Sequence, residues 1–465
     1  MKVRKQRTEN WESDFNRRDF LRGASVATLA SLMGGIPLVA PAAEPTPEEK
    51  KAKKPPVNCG VIGLGVQGRE ILKALGQIPY APVVAVCDTY EKAVKRALEA
   101  TSGAEGYTDY KKLLDNKSVK AVLIATPTHQ HREIVEAALA AGKHVYCEAP
   151  LAHTIEDARA IAQAAQKNRR FNFQAGLQRR ADSQHHFLLT FIRSGALGST
   201  VKARAQWARK TSWRRSAPTE EREKELNWRM FNDTSLGLVG EIGIHQLDVV
   251  CWMLKARPVS VTGFGGIQFY RDDGRETFDT VQAVFEFPRK VNFFYEATLA
   301  NSFENEYEAL YGSDAAVVLR GANAWMFKES DAPLLGWEVY ARKDEGVAYK
   351  EAGIALRADA TKIKAQGKQA EERPYQETAL LQSMEAFIGN TNTLSAAMED
   401  YEMMGGDFKD EKALAEYLEG PALKKARLHA AGWEEGYEAT VNVIKANEAI
   451  VKRSKITFAD EWFKV

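Results

Sequence analysis

Cysteine is scarce in this sequence. Four cysteines occur among 465 residues, with no Cys-x-x-Cys pair and no histidine at zinc-finger spacing. Three of them, Cys59, Cys87 and Cys147, lie in apolar, strand-like runs, where a free thiol behaves as a small hydrophobic side chain. The cysteine pattern therefore predicts core residues, and it argues against a disulfide scaffold or a zinc finger.

An excess of either charge is also missing. The chain has 64 Lys and Arg residues against 62 Asp and Glu residues, which gives a formal net charge of +2. Nucleic-acid binding requires a basic field, so we expect no nucleic-acid partner. His185 and His186 lie at an aromatic helix start, and we predict no metal site there or elsewhere. The length exceeds one ordinary core and predicts about two domains plus extensions.

The first 56 residues differ in composition from the rest. Residues 16–22 read N-R-R-D-F-L-R, and an uncharged, small-residue stretch runs from Ala24 to Ala40, too short for a membrane span. With Arg17-Arg18 this segment resembles a twin-arginine (Tat) signal peptide. The resemblance implies a signal over 1–42, a linker over 43–56 and export to the periplasm or beyond. An amphipathic N-terminal helix and a retained membrane anchor stay as alternatives.

A glycine-rich turn follows the first apolar run. The run V-N-C-G-V-I at 57–62 predicts a strand, G-L-G-V-Q-G follows, and a helix is expected from Arg69. In this context Gly63 permits a tight turn, Gly65 lets the backbone approach a pyrophosphate, and Gly68 lets helix and strand pack closely. The free N–H groups of the helix start then face the phosphates. The pattern predicts a dinucleotide-binding Rossmann unit.

A carboxylate stands where the ribose of a dinucleotide is expected to bind. The second apolar run, V-V-A-V-C from Val83, ends in Asp88, 20 residues after Gly68. Thr89 and Tyr90 come next, with no arginine to accept a 2′-phosphate, and the carboxylate would repel one. The sequence therefore favours NAD over NADP as the cofactor.

Strands and helices alternate up to residue 176, which predicts a parallel sheet with helices on both faces. Ligands of such sheets bind at the carboxyl ends of the strands, where Thr126 and Glu148 fall. The later half differs. From Val259 to Leu319 the sequence alternates and is rich in β-branched and aromatic residues, as in antiparallel strands. We predict a Rossmann domain over 57–176 and a second domain over 177–465.

One segment of the second half combines a carboxylate and an imidazole. Residues 240–248 read G-E-I-G-I-H-Q-L-D, and Glu241 and His245 are four apart, so a continuous helix would place them on one face. A histidine is the natural base for a hydroxyl proton when hydride leaves the carbon. The carboxylate is expected to orient the imidazole or to bind a substrate hydroxyl.

These motifs together resemble the Gfo/Idh/MocA family of oxidoreductases. The resemblance covers roughly residues 57–320 and includes A-T-P-T-H-Q-H from Ala125 and E-A-P from Glu148. It implies an α/β protein with an N-terminal Rossmann domain and a C-terminal α/β domain with a large, mostly antiparallel sheet. It also implies NAD(P)-dependent chemistry on a sugar or polyol, His245 as the catalytic base, and a homo-oligomer formed through the C-terminal sheet.

The sequence departs from the family at one position. The family usually carries a lysine that helps to hold or polarise the reacting hydroxyl, and Ala149 stands in its place. Alanine carries no charge and donates no hydrogen bond from its side chain. Either another cation takes this role, with Arg179, Lys210 and Arg229 as possible substitutes, or the chemistry differs.

The predicted site residues fall into three groups. The catalytic residues are His245, Glu241 and Glu148. The cofactor-binding residues are Gly63, Gly65, Val66, Gln67, Gly68, Asp88, Thr126, Pro127, His131, Glu148 and Arg179. The substrate residues are Asp248, Trp228 and Arg229, since an indole face stacks on the C–H bonds of a sugar and a guanidinium binds its hydroxyls.

Three functions are compatible with this sequence. The first is an NAD-dependent oxidoreductase acting on a hydroxyl of a sugar, glycoside or polyol, with a tightly bound cofactor. The second is an NAD-dependent glycoside hydrolase or lyase that oxidises C3 transiently. The third is a non-catalytic, nucleotide-retaining sugar-binding protein. Ala149 supports the third, and the presence of Glu241 and His245 argues against it.

Overall fold

The structure is a computed structural model. It describes residues 55–321, 323–332, 343–344, 353–356 and 378–465. The expected signal peptide, and all of the expected linker except Pro55 and Pro56, lie outside the described residues. Within the described ranges, no helix has the length and the apolar character needed to cross a membrane.

The first half contains a six-stranded parallel sheet with the order β3-β2-β1-β4-β5-β6. Its strands are β1 (Cys59–Ile62), β2 (Val83–Cys87), β3 (Glu105–Tyr107), β4 (Ala121–Ile124), β5 (His144–Cys147) and β6 (Phe173–Ala175). Every residue of β1, β4 and β5 is buried because helices cover both faces of the sheet. The predicted Rossmann topology is confirmed, and its switch point lies between β1 and β4.

Five helices accompany this sheet. They are α1 (Val66–Leu75), α2 (Glu91–Ala100), α3 (Tyr110–Asp115), α4 (His131–Ala140) and α5 (Ile155–Lys167). Short 3₁₀ turns at Thr128–Gln130 and Gln178–Ala181 follow β4 and β6. Each of these turns begins at a carboxyl end of the sheet, where a Rossmann fold binds its ligand.

The second half is built on a ten-stranded sheet in the described residues, with the order β14-β15-β13-β12-β11-β7-β10-β9-β8-β16. The strands are β7 (Thr200–Ala208), β8 (Ser260–Gly266), β9 (Thr280–Glu286), β10 (Asn292–Thr298), β11 (Glu306–Gly312), β12 (Ala315–Arg320), β13 (Asn323–Lys328), β14 (Lys343–Asp344), β15 (Gly353–Leu356) and β16 (Ile456–Thr457). Every pair is antiparallel except β7 with β10. The predicted mostly antiparallel sheet is confirmed.

Eight further helices complete the described chain. They are α6 (Ser183–Arg193), α7 (Glu221–Leu226), α8 (Gly237–Glu241), α9 (Gly243–Leu254), α10 (Ala379–Met403), α11 (Glu411–Leu418), α12 (Pro421–Ala426) and α13 (Trp433–Lys452). Helix α13 packs against β8 on one side and α5 on the other, so it joins the two sheets. The four cysteines are buried and free, as their apolar contexts predict.

Helix α10 returns from the second half to complete the first core. Its Met384, Phe387 and Ile388 are fully buried in one cluster with β1 and β4. The Phe387 ring meets the Tyr146 ring of β5 edge to face, with centroids 5.8 Å apart. The Gln174 amide of β6 donates to the Ser383 carbonyl at 2.9 Å. The Rossmann core therefore includes residues far beyond position 176.

The expected continuous helix around His245 is interrupted. Helix α8 ends at Glu241, Ile242 has φ −118° and ψ −51°, and α9 begins at Gly243. The reason is a close approach to the second sheet, because a Cβ on Gly243 would lie 2.8 Å from the Tyr295 ring. Glu241 and His245 therefore belong to two helices, and their spacing in sequence does not place them on one helical face.

Candidate active site

A cavity of about 1440 Å³ lies between the two halves. The glycine turn after β1 and the ends of β2, β4 and β5 form one wall. Residues from α7, from the 3₁₀ turn Trp228–Met230, and from α8 and α9 line the rest. Among the predicted residues, these line the cavity: Gly63, Gly65, Val66, Gln67, Asp88, Thr126, Pro127, His131, Glu148, Arg179, Trp228, Arg229, Glu241 and His245.

The three glycines of the turn meet different surroundings. Gly63 has φ +92°, and a Cβ there would lie 2.6 Å from the Ala125 carbonyl oxygen. A Cβ on Gly68 would lie 1.8 Å from the Gly63 oxygen, whereas a Cβ on Gly65 would meet no atom within 4 Å. Helix α1 begins directly after Gly65 without a side-chain cap or an acidic first turn. The turn thus has an open face with free N–H groups, which fits a pyrophosphate.

Asp88 fixes this turn from the end of β2. One of its carboxylate oxygens accepts from the Leu64 N–H and the other from the Tyr90 N–H, both at 2.8 Å. Each oxygen keeps a further lone pair, so the carboxylate is still able to accept from ribose hydroxyls.

Arg222 is a cavity residue that the sequence reasoning missed. It comes from α7 in the second half, and its guanidinium lies 4.7 Å from the centre of the Tyr90 ring, two residues after Asp88. The prediction that no arginine lies beside Asp88 rested only on the residues that follow Asp88 in sequence. No local signal marks this contact, because the tertiary fold alone brings α7 over the end of β2.

Glu148 links the glycine turn to the end of β5. Its Oε1 accepts from Gln67 Nε2 at 2.9 Å and from the Tyr146 hydroxyl at 3.3 Å. Burial raises the pKa of Glu148 to about 7, although these hydrogen bonds oppose the shift. The carboxyl is therefore able to exchange a proton near neutral pH.

Glu241 is fixed by donors of both halves. Its carboxylate accepts from Thr128 Oγ1 at 3.1 Å, from Ser235 Oγ at 3.2 Å and from the Leu236 N–H at 3.3 Å. Burial raises its pKa, and Arg229, whose Nε lies 4.0 Å from Oε2, is the first of the opposing influences. Of the two roles expected for Glu241, orienting the imidazole is not seen, because its carboxylate accepts from these donors and no hydrogen bond from His245 to Glu241 is formed among the described residues.

His245 presents a neutral imidazole to the cavity. Burial and then the charge of Arg179 lower its pKa to about 3. Its Nδ1 has no hydrogen-bond partner among the described residues. A neutral imidazole that lines the cavity is able to accept a proton from a bound hydroxyl.

Two predicted residues play structural parts. Asp248 does not line the cavity and is 3% exposed, and it accepts from Arg180 Nε at 2.9 Å and from Nη2 at 2.8 Å. This arrangement fits a structural role for Asp248, and the cavity lining gives no support to the predicted substrate contact. The two ring nitrogens of His131 lie 3.0 Å from the Thr126 and Pro150 carbonyl oxygens. His131 thus positions the loops after β4 and β5, and its nitrogens are not free for a cofactor.

Arg179 and His185 also line the cavity, and each contacts an acidic side chain. Arg179 forms ion pairs with Glu308 and, at 3.7 Å, with Glu306 of β11. His185 also lines the cavity, and its Nδ1 lies 2.6 Å from Asp182 Oδ2. His185 was not predicted as a site residue, and its spacing of three residues from Asp182 is the signal that would have indicated this pair.

Comparison with known proteins identifies the family. Residues 57–176 match the Gfo/Idh/MocA oxidoreductase family model with its NAD-binding Rossmann fold, and residues 187–318 match the C-terminal domain of that family. Together the two matches cover more than half of the chain.

The chain belongs to the Gfo/Idh/MocA family.

Its curated relatives include inositol 2-dehydrogenases. That of Salmonella typhimurium is 30% identical over 201 residues, 43% of this chain and 55% of the relative. That of Pseudomonas fluorescens is 33% identical over 204 residues, 43% of this chain and 56% of the relative. The chain thus spans about half the length of the curated relatives it matches.

Solved structures agree with the fold. A levoglucosan dehydrogenase in complex with NADH and L-sorbose has a TM-score of 0.64 at 18% identity, covering 87% of this chain and 99% of that chain. An oxidoreductase domain protein from Kribbella flavida has a TM-score of 0.66 at 18% identity, with 87% and 100% coverage. The family and the fold predicted from the sequence are confirmed.

Two glycine variants test the pyrophosphate site. In Gly65→Ala the new methyl group points into the open cavity, so we expect an unfolding free energy within about 0.5 kcal/mol of wild type and at least roughly tenfold weaker NADH binding. In Gly68→Ala the methyl group meets the Gly63 carbonyl, so stability falls by about 1–3 kcal/mol or more. Urea unfolding and NADH fluorescence titration measure both. Unchanged NADH affinity in Gly65→Ala would contradict the assignment.

Proposed function

We propose that this chain is an NAD-dependent oxidoreductase that removes hydride from a C–OH group of a sugar, glycoside or polyol. The observation that carries the proposal is that the open glycine turn and the neutral imidazole of His245 line one cavity. The names of the relatives, inositol 2-dehydrogenase and levoglucosan dehydrogenase, support this substrate class. The cofactor, when bound, accepts the hydride.

The residues of the chain supply binding and proton transfer in this proposal. The N–H groups of the glycine turn and of the start of α1 bind the pyrophosphate, and Asp88 binds the adenosine ribose. The imidazole of His245 takes the hydroxyl proton. The hydrogen bond between Thr128 and Glu241 holds the His245 segment against the ends of the Rossmann strands. This contact fixes the distance between the imidazole of His245 and the cofactor site.

We also propose NAD rather than NADP, and a cofactor that stays bound. Asp88 places a negative charge beside the ribose, which disfavours a 2′-phosphate. Arg222 of α7 covers Tyr90, so the second half of the chain closes over the adenosine end. Retention suits an exported enzyme, because a bound nucleotide does not depend on free NAD outside the cytoplasm.

A hydride assay with variants tests the function. Wild type is offered inositols, hexoses, anhydrosugars and glycosides with NAD, and nicotinamide absorbance is followed. We expect His245→Ala to lower kcat by about 10²–10⁴-fold with unchanged NADH affinity, because the base is lost. The matched control is His429→Ala, an exposed histidine outside the cavity, which should retain full activity.

Two results of this assay would contradict the proposed dehydrogenase and favour another function. Release of an aglycone without net change in nicotinamide absorbance would indicate the hydrolase or lyase alternative. Sugar binding without any turnover would indicate the non-catalytic alternative.

We propose further that residues 1–42 are a Tat signal that exports the folded, cofactor-loaded protein. The support is the Arg17-Arg18 pair before Phe20-Leu21 and the uncharged stretch from Ala24. The full chain should reach the periplasm of a Tat-competent bacterium, and Arg17→Lys with Arg18→Lys should keep it in the cytoplasm. Fractionation measures this, with a Tat-deficient strain as the control. Export of the double variant would contradict the proposal.

The second sheet is the proposed interface of a homo-oligomer. Phe264 of β8 is 60% exposed and Phe294 of β10 is 44% exposed. On the intervening strand β9, Gln282 lies opposite Phe264 and Val284 lies opposite Phe294. Exposed aromatic side chains on one sheet are typical of an interaction surface. Phe264→Lys with Phe294→Lys should lower the mass found by analytical ultracentrifugation to that of a monomer. A wild-type protein that sediments as a monomer would refute the interface.

A further inference from the structure

Removal of hydride from an alcohol carbon requires a stabilised hydroxyl oxygen. As the proton leaves, negative charge develops on that oxygen, and a fixed cationic donor in a dry site lowers the cost of this charge. The need is strong here, because a base whose pKa is lowered to about 3 is weak. Ala149, which lines the cavity beside Glu148, supplies no donor from its side chain.

Most cations near the cavity are already engaged. Arg179 is paired with Glu308 and Glu306, and Lys224 donates to Asp233 at 2.7 Å. Lys210 does not line the cavity, and its ammonium lies 5.2 Å from the centre of the Phe269 ring.

Two other guanidiniums lie at a distance from Glu241. Arg222 lies over Tyr90 at the adenosine end and pairs with Glu225 at 3.1 Å. Arg215 is exposed on the cavity wall, and no ion pair holds it within the described chain. Neither forms an ion pair with Glu241, and neither does Arg209, the other guanidinium of the cavity wall, within the described chain.

Arg229 differs from these cations. Its guanidinium lies 4.4 Å from the centre of the Trp228 ring and 6.0 Å from that of Trp213. Its Nε is 4.0 Å from Glu241 Oε2, and its charge also opposes the raised pKa of Glu148. The side chain is 39% exposed and lines the cavity, so a substrate bound there would be able to contact the guanidinium.

The backbone of Arg229 is held rigidly. Asn227, which is 2% exposed, donates to the Arg215 and Glu223 carbonyls at 3.1 and 3.0 Å. The Arg229 carbonyl accepts from Thr277 Oγ1 at 3.0 Å. The guanidinium is therefore presented from a fixed turn and stacked on an indole, as a preorganised donor requires.

We propose that Arg229 is the cation that donates a hydrogen bond to the reacting hydroxyl oxygen while His245 takes the proton. The hydroxyl proton goes to His245, the hydride leaves the same carbon for NAD, and the product is a carbonyl compound and NADH. Arg229 keeps its own protons throughout. Arg229 thus supplies the positive donor that the side chain of Ala149 does not provide. This inference rests on the proposed dehydrogenase function.

Four variants test the inference in full-length protein loaded with NAD. Arg229→Ala should lower kcat by about 10²–10³-fold, as does loss of one oxyanion donor, with unchanged NADH affinity. Arg229→Lys, which keeps the charge, should recover at least tenfold of that loss. Arg229→Ala with Ala149→Lys should also recover part of the rate. Arg271→Ala, an exposed arginine outside the cavity, is the matched control and should stay within about twofold of wild type.

Chemical rescue separates catalysis from folding. Added guanidinium at millimolar concentration should restore part of kcat in Arg229→Ala and nothing in His245→Ala. The inference about Arg229 would be wrong if Arg229→Ala kept the wild-type kcat. It would also be wrong if this variant showed only an increased KM that added guanidinium did not reverse. Neither result would contradict the proposed dehydrogenase function. A wild type that oxidises none of the polyols would instead overturn the proposed function, and the role of Arg229 with it.

Discussion

The hydrogen bond between Thr128 and Glu241 joins the two halves of the chain at the cavity. Thr128 follows β4 of the Rossmann sheet, and Glu241 ends the short helix that precedes His245. Both partners are buried, so a lost partner would leave a desolvated polar group. The distance from the cofactor turn to the imidazole depends on this contact, and so does the proposed alignment of hydride and proton transfer.

Burial gives the cavity its electrostatic character. Burial raises the pKa values of Glu148 and Glu241 and lowers that of His245, so the charged form of each is less favoured than it is in water. Arg229 is the exposed cation among them. A site of this kind suits a neutral polyhydroxylated substrate, because hydroxyl groups bind without the desolvation cost of a charge, and only the reacting oxygen then needs a positive donor.

The parts of the fold that follow local rules were predictable from the sequence. The roles of Gly63, Gly65 and Gly68 depend on residues within one turn and on one strand, and the structure gives each glycine the surroundings its role requires. The antiparallel sheet was predictable because its strands alternate in burial, and the parallel sheet because its strands are short apolar runs between helices.

Long-range contacts were not predictable. The interruption at Ile242 arises from the approach of Gly243 to Tyr295. The pairing of Asp248 with Arg180 joins residues that are distant in sequence. The return of α10 to the first core and the placement of Arg222 over Tyr90 likewise have no local signature.

In the proposed function, this chain holds NAD in the cavity between its two halves. The most direct measurement is to purify the protein without its signal and without added nucleotide, denature it, and identify the released small molecules by mass spectrometry. We expect the denatured protein to release about one molecule of NAD or NADH per chain. Released NADP would contradict the interpretation of Asp88. A protein that releases nothing and also fails to bind added NAD would contradict the cofactor site itself.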